Sequence, residues 1–472
     1  MGAIFIKLGF LLFYKSLIYL CPNFSVEVIS MKTLALHEMG EVIRKVRKER
    51  GLRLEDLADE NISPATVSNI ERGVAHVSPE KVTYLLEKLE LPMSKLPEML
   101  VQEQVELKRV KFALLTIATL RQIGYVEDAL SKLEELKLDD SHPYIAHAYF
   151  YKGECYVAKK KWKQAERSFY NALRSAQQNS FQENNMEAAS LLLLGICSDH
   201  QGNLEQALEY VNDGLLAFYE EGEMQHVKHL LHKHKGIMLQ KLGRITEAMQ
   251  LVQDSWHLLT EVDDIETTLG FYWLRSELSR RTGLIEEAIE YAVEGIDVAR
   301  RNKQYSAMFD LWIVLGTIYT AQKDWEVAET SFLMARKLEE KIPIDQRWVT
   351  VYSRTGVLYS KQNKLSEAFE YFQHAIRYAT KFQDAPQLVS NLVLTGELCQ
   401  MMNDTNKAIH FFEQGIETAQ KYQFKDMEWK IWYNLAGCFN GHDEEKFQHC
   451  MRKTYEIKEN LLENPTNLGL AN

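Results

Sequence analysis

The chain has 472 residues, a formal net charge of −11, 46% apolar residues and only nine prolines, a composition that fits an all-α, well-packed protein and excludes extensive disorder. Its acidic excess excludes general affinity for nucleic-acid backbones, because that affinity depends on Lys and Arg neutralising phosphates. The six cysteines include no C-x-x-C pair, which excludes a disulfide framework or zinc ribbon and fits a reduced, cytoplasmic compartment.

Residues 1–30 are apolar and aromatic, but Lys15 interrupts them and no run reaches the roughly 20 residues of a membrane span. They read as an extension from an upstream start codon without a function of its own; a membrane tether is the alternative. Met31 then opens a second natural beginning, MKTLALHEMGEVIRKVRKERGL.

Residues 31–97 read as one small domain of four short helices, with Ser63 before Pro64 and Ser78 before Pro79 as helix starts. Between Met31 and Leu100 there are 11 Lys and Arg against 12 Asp and Glu, so any DNA contact must be local. The segment carries R-x-x-R at Arg44 and Arg47, L-x-x-L-A at Leu54, Leu57 and Ala58, and S-x-x-x-x-S-x-I-E-x-G from Ser63 to Gly73. It resembles the Cro/repressor type of helix-turn-helix. In that fold the outward face of the second motif helix enters the major groove. The resemblance assigns that face to Pro64, Ala65, Thr66, Ser68, Asn69 and Arg72, with Val67 and Ile70 facing inward. Thr66 and Asn69 can reach base edges, Asn pairing bidentately with adenine. Arg53, Ser68 and Arg72 are better placed for phosphates. The resemblance also implies a structural salt bridge between Arg47 and Glu71.

A linker helix is expected over 98–115, followed by repeats over 116–462 and a tail at 463–472. The repeats announce themselves by small residues at intervals of 12 and 7: Gly153, Ala165, Ala172, then Gly195, Ala207, Gly214, continuing to Gly396, Ala408, Gly415. Their middle members settle to a period of 40. Small residues permit close helix approach. Gly124, Gly202, Gly243, Gly283, Asn363 and Asn403, with Lys160 and Lys323 as exceptions, mark the turn between the two helices of each unit. This resembles the tetratricopeptide repeat, in about eight units plus a degenerate ninth, and implies a right-handed superhelix with a concave inner surface.

A helix-turn-helix followed by such an array resembles the RNPP quorum-sensing receptors. The resemblance implies a peptide-responsive transcriptional regulator in the cytoplasm, binding promoter DNA and a short signalling peptide, as a homodimer or homotetramer and without a membrane. The alternative it implies is a Rap-like protein that binds or dephosphorylates a response regulator of the sporulation phosphorelay; Gln102, Gln104 and Gln122 offer amides for that role. For the peptide, the first helix of each pair should line the inner wall. An extended backbone needs paired donors and acceptors, which Asn and Gln supply. The candidates are Gln240, Asn391, Gln400 and Asn434, with Arg280 or Lys233 for a peptide carboxylate.

His226, His229, His232 and His234 are read as a basic helix face, so no metal and no cofactor is expected. The eight tryptophans are read as core. Without a Gly-rich phosphate loop or a G-x-S-x-G motif, the chain is not expected to be an enzyme.

Overall fold

The computed structural model describes residues 39–463, apart from 75–76, 93–94, 141, 179–183 and 262–263. The expected extension at 1–30, the opening at Met31 and most of the tail at 463–472 lie outside the described residues. Among the described residues there is helix and no strand. The chain divides into two compact units, one formed by residues up to Cys197 with 217–224, the other by 198–216 with the chain from Gln225 onward.

The first unit begins with α1 (39–49), a single 3-10 turn at Glu55–Leu57, α2 (Pro64–Glu71) and α3 (Pro79–Lys88). Their core gathers Val42, Ile43, Val46, Leu57, Ile62, Val67, Ile70, Leu85, Leu86 and Leu89. Gly40 sits in this packing because a Cβ there would meet the carbonyl oxygens of Ile70 and Glu71 at 2.6 Å. The second of the four expected helices is reduced to the 3-10 turn. The Asp56 carboxylate accepts from Arg53 N–H at 2.7 Å, and Ala58 is already extended with ψ 147°, so the helix has no room to propagate.

After α3 the first unit continues with α4 (Leu96–Gln122), α5 (Val126–Leu136), α6 (Ile145–Ala158) and α7 (Trp162–Gln178). α4 is one continuous helix through the whole of the expected linker helix and into the first repeat. Val110, Leu114 and Ile117 on it share a core with Ala129 of α5. α8 (Met186–His200) crosses from the first unit to the second.

The second unit holds α9 (Leu204–Leu216), α10 (His226–Lys241), α11 (Ile245–Ser255), α12 (Ile265–Arg281), α13 (Ile285–Arg301), α14 (Tyr305–Gln322) and α15 (Trp325–Arg336). It ends with α16 (Arg347–Lys361), α17 (Leu365–Phe382), α18 (Ala385–Met401), α19 (Thr405–Tyr422), α20 (Lys425–Phe439) and α21 (Glu444–Glu463). Within the first unit α4 packs on α5 and α6 on α7, and within the second unit α10 to α21 form six successive pairs among the described residues. The turn residues have left-handed backbone throughout: φ is 93° at Gly124, 61° at Asn363, and 55° and 64° at the lysines Lys160 and Lys323.

The small residues work differently from the expected approach of bare backbones. A Cβ on Gly153, Gly316, Gly356 or Gly396 would strike the ring of Phe169, Phe332, Phe372 or Phe412, sixteen positions later on the second helix of the same pair, at 2.4 to 2.7 Å. The space is filled by an aromatic side chain, and each of these rings is buried. Where Ser276 replaces the glycine, the residue sixteen further on is Ala292, and Ser276 Oγ donates to the Ala288 carbonyl at 2.6 Å. Volume is exchanged between the two helices of a pair.

Candidate functional site: a nucleic-acid interface and a peptide groove

In the first unit α2 is pre-formed by its cap. Ser63 Oγ accepts from Thr66 N–H at 3.2 Å, and Pro64 occupies the first turn, where its missing N–H costs nothing. Val67 and Ile70 are buried, while Pro64, Ala65 and Arg72 are exposed and Thr66, Ser68 and Asn69 are half-buried. Two of these polar side chains are occupied from within the helix. The Thr66 and Ser63 hydroxyls bond at 2.9 Å, and Arg72 Nη2 donates to Asn69 Oδ1 at 2.5 Å.

Behind this face Arg47 of α1 donates from Nε to Glu71 Oε1 at 2.5 Å, from Nη2 to Glu71 Oε2 at 2.9 Å and from Nη1 to the Leu52 carbonyl at 2.7 Å. Both side chains are shielded, at 11% and 5% exposure, and the bond to Glu71 raises the Arg47 pKa against the opposing effect of burial. The guanidinium thus ties the end of α2 to α1 and is consumed in doing so. Arg53 is exposed at the start of the 3-10 turn. The turn between the motif helices is fixed by Asp59, which accepts from Tyr84 Oη at 2.6 Å, pairs with Lys88 at 2.5 Å and takes the backbone N–H groups of Asn61 and Ile62. Lys88 and Tyr84 hold the Asp59 carboxyl well below the usual carboxylate range.

In the second unit the six groove candidates separate into four situations. Gln400 Nε2 donates to the Asn434 carbonyl at 3.3 Å and contacts Cys438 Sγ at 3.1 Å, while Asn434 Nδ2 donates to Glu397 Oε1 at 2.8 Å. This is one polar network between α18 and α20. Arg280 is paired with Glu277 through Nη2 at 2.6 Å and Nε at 2.8 Å, and Arg281 Nε joins the same carboxylate at 2.9 Å. Asn391 and Gln240 lie inside, at 0% and 6% exposure. Neighbouring helices cover them, so sequence position on the inner helix did not by itself expose a side chain. Asn391 Nδ2 donates to the Gln387 carbonyl of its own helix at 2.8 Å, and its Oδ1 is a buried acceptor without a partner among the described residues. Lys233 is half-buried, its stem lying where a Cβ on Gly270 would be; burial lowers its pKa while Asp264 and Glu266 raise it.

Sequence reasoning passed over Glu277 and Glu397, one residue after the small-residue position of their helices, and Arg354, two residues before Gly356. A carboxylate or guanidinium among apolar neighbours on α12, α16 and α18 was the available signal. His234 is pushed down to about 3 by burial, with the charges of Lys233, Lys241 and His200 adding to it, and is therefore neutral. Of the eight tryptophans, Trp348 is fully buried and the others are half-buried, Trp256 lying against Arg275 at 4.5 Å. Burial pushes the Cys155 thiol up to about 11 and the Cys197 thiol up to about 12.

The class defined by fold and site is a helix-turn-helix joined to tetratricopeptide helix pairs. The helix-turn-helix family model matches residues 43–96, and a tetratricopeptide repeat model matches residues 349–421. Among solved structures the chain is similar to the apo form of the quorum sensor NprR from B. thuringiensis, with a TM-score of 0.55 at 16% identity over 75% of this chain and 98% of that one. It is similar to a Rap protein complexed with competence and sporulation factor, with a TM-score of 0.54 at 16% identity over 75% of this chain and 99% of that one. The fold is therefore the one the RNPP resemblance implies. A curated relative, KINESIN LIGHT CHAIN-RELATED 3 of Arabidopsis thaliana, is 23% identical over 311 residues, 63% of this chain. The chain spans about half the length of the curated relatives it matches, 47% and 44%.

Proposed function

We propose that the protein is a cytoplasmic, peptide-responsive transcriptional regulator of the RNPP type, similar in design to NprR, in which α2 reads promoter DNA and the inner helices of the second unit hold a short signalling peptide. The observation that carries this reading is the capped helix α2. It is anchored from behind by the Arg47–Glu71 pair while Pro64, Ala65 and Arg72 remain exposed.

On DNA, Asn69 serves adenine and Arg72 a phosphate. The bond between Arg72 and Asn69 must then be exchanged for two bonds to the duplex, freeing Asn69 Oδ1 to accept from the adenine amino group. Thr66 turns its hydroxyl from Ser63 to a base edge, and Arg53 and Ser68 take phosphates. Two-fold dimers reading an inverted repeat are the default for this fold, and a homotetramer would pair two such dimers. In the groove, Gln400, Asn434 and Arg280 face the peptide, with Lys233 at the margin; Gln240 and Asn391 support the wall from within.

The test is a genomic selection: purified protein mixed with sheared DNA from its own organism, with bound fragments sequenced. A few recovered sites sharing an inverted repeat are expected, and Asn69→Ala should lose them, since one good bidentate contact is worth roughly 1–3 kcal/mol of discrimination. A second reading is favoured by the likeness to the Rap structure: binding of a phosphorelay response regulator, with the helix-turn-helix as an interaction surface. The two roles separate if Asn69→Ala abolishes promoter binding and leaves response-regulator binding intact. Equal loss of both would sink that division of labour.

A further inference from the structure

Three guanidiniums of the second unit stand in one electrostatic neighbourhood. Arg280 and Arg281 lie at the end of α12 and share Glu277. Arg354 lies two helix pairs later, on α16, and its guanidinium feels the charges of Glu277, Arg280 and Arg281. Between the two helices lies α14, which packs on both. Side chains on α12 and α16 can sense one another past α14 only when they project from the same side of this three-helix layer.

The charges there do not balance. Glu277 accepts from both Arg280 and Arg281, so three positive groups surround one carboxylate. Arg354 makes no hydrogen bond and no ion pair among the described residues, although its side chain is exposed. Surrounding protein still desolvates it, and this lowers its pKa against the opposing charge of Glu277. Lys233 lacks this imbalance, because Asp264 and Glu266 lie beside it.

We propose that the groove holds the carboxylate of its peptide, a free C-terminus or an Asp or Glu side chain, between Arg354 and the Arg280–Arg281 pair. This deepens the peptide reading above and rests on it. Glu277 already shows what the arginines accept: a carboxylate held by N–H donors at 2.6 to 2.9 Å. Arg354 is the donor fork still open, and planar guanidinium matches carboxylate bidentately.

The experiment presents the immobilised full chain with a randomised heptapeptide library in two forms, free acid and C-terminal amide, and identifies the retained peptides by mass spectrometry. Wild type should favour acidic peptides over neutral ones by about tenfold, the worth of a charge-assisted hydrogen bond. Enrichment of the free-acid form whatever its sequence assigns the chain terminus; enrichment of Asp or Glu within amidated peptides assigns a side chain. Arg354→Glu should abolish the preference and Arg354→Gln should weaken it, the second variant deciding if the first fails to fold by circular dichroism. Retained peptides without acidic preference, or the same preference in both variants, overturn the carboxylate assignment and leave the peptide reading standing. No retained peptide in any form overturns the peptide reading itself.

Discussion

Arg47 and Arg72 show how a single position decides between structure and recognition. Both are arginines near the motif helix, but Arg47 is shielded and committed to Glu71 and the Leu52 carbonyl, whereas Arg72 is exposed and donates to the Ser68 carbonyl and Asn69 Oδ1 of its own helix. Arg47→Ala would leave the Glu71 carboxylate buried without its partner. The expected loss is about 3 kcal/mol, the usual order for a broken buried pair, and it should appear as a lower midpoint for unfolding of the helix-turn-helix by hydrogen exchange. An unchanged midpoint would refute the pairing's structural role. Asp310 supplies a pH dependence. Burial raises its pKa to about 6, with Asp345 adding to the rise and Arg347 opposing it. A carboxyl that binds its proton more tightly folded than unfolded stabilises the protein at low pH. That contribution is lost as pH rises from the ordinary carboxylate range through about 6. Asp310→Asn should flatten the stability profile across that window; a profile identical to wild type would show that the carboxyl is not perturbed.

At the scale of elements, the repeat works by complementary volumes. Gly316 faces Phe332, and where Ser276 stands in place of the glycine a small Ala292 stands sixteen positions on, so bulk on one helix goes with its absence on the other. Gly316→Ala should destabilise by about 1–3 kcal/mol through overpacking. Adding Phe332→Val should recover part of that loss, giving a measurable coupling in a double-mutant cycle; strict additivity would mean that the ring is free to move away. Lys323, at φ 64°, pays a backbone cost that glycine avoids, so Lys323→Gly should raise the thermal midpoint. The second motif helix teaches the converse. LEDLADE has helical apolar spacing, but the side chains of Asp56 and Asp59 capture backbone N–H groups locally and leave a 3-10 turn.

For the whole molecule, the decisive quantity is charge. A chain of net −11 with a near-neutral helix-turn-helix cannot rely on phosphate attraction. On the proposed reading, in which Arg53 and Arg72 of each protomer of a dimer contact phosphates, few counterions are released and log affinity should fall with log salt at a slope of about −4. Fluorescence anisotropy against a recovered operator at several salt concentrations measures it. A slope twice as steep would require cations elsewhere, with the lysines of α1 the first to substitute.

The sequence by itself determined the helical class, the period of 40, the left-handed turns and the inward face of α2, because each follows from local side-chain volume, backbone freedom or helical spacing. Only the tertiary structure decided what those features meet. The ring that fills the space at Gly153, Gly316, Gly356 or Gly396 lies sixteen residues away on another helix, and Asn391 is buried although its helix was read as lining the inner wall. Arg354 becomes part of a cluster only when α12 and α16 face the same side. Burial and charge balance depend on distances between elements, and those are set by the packing of every helix between them.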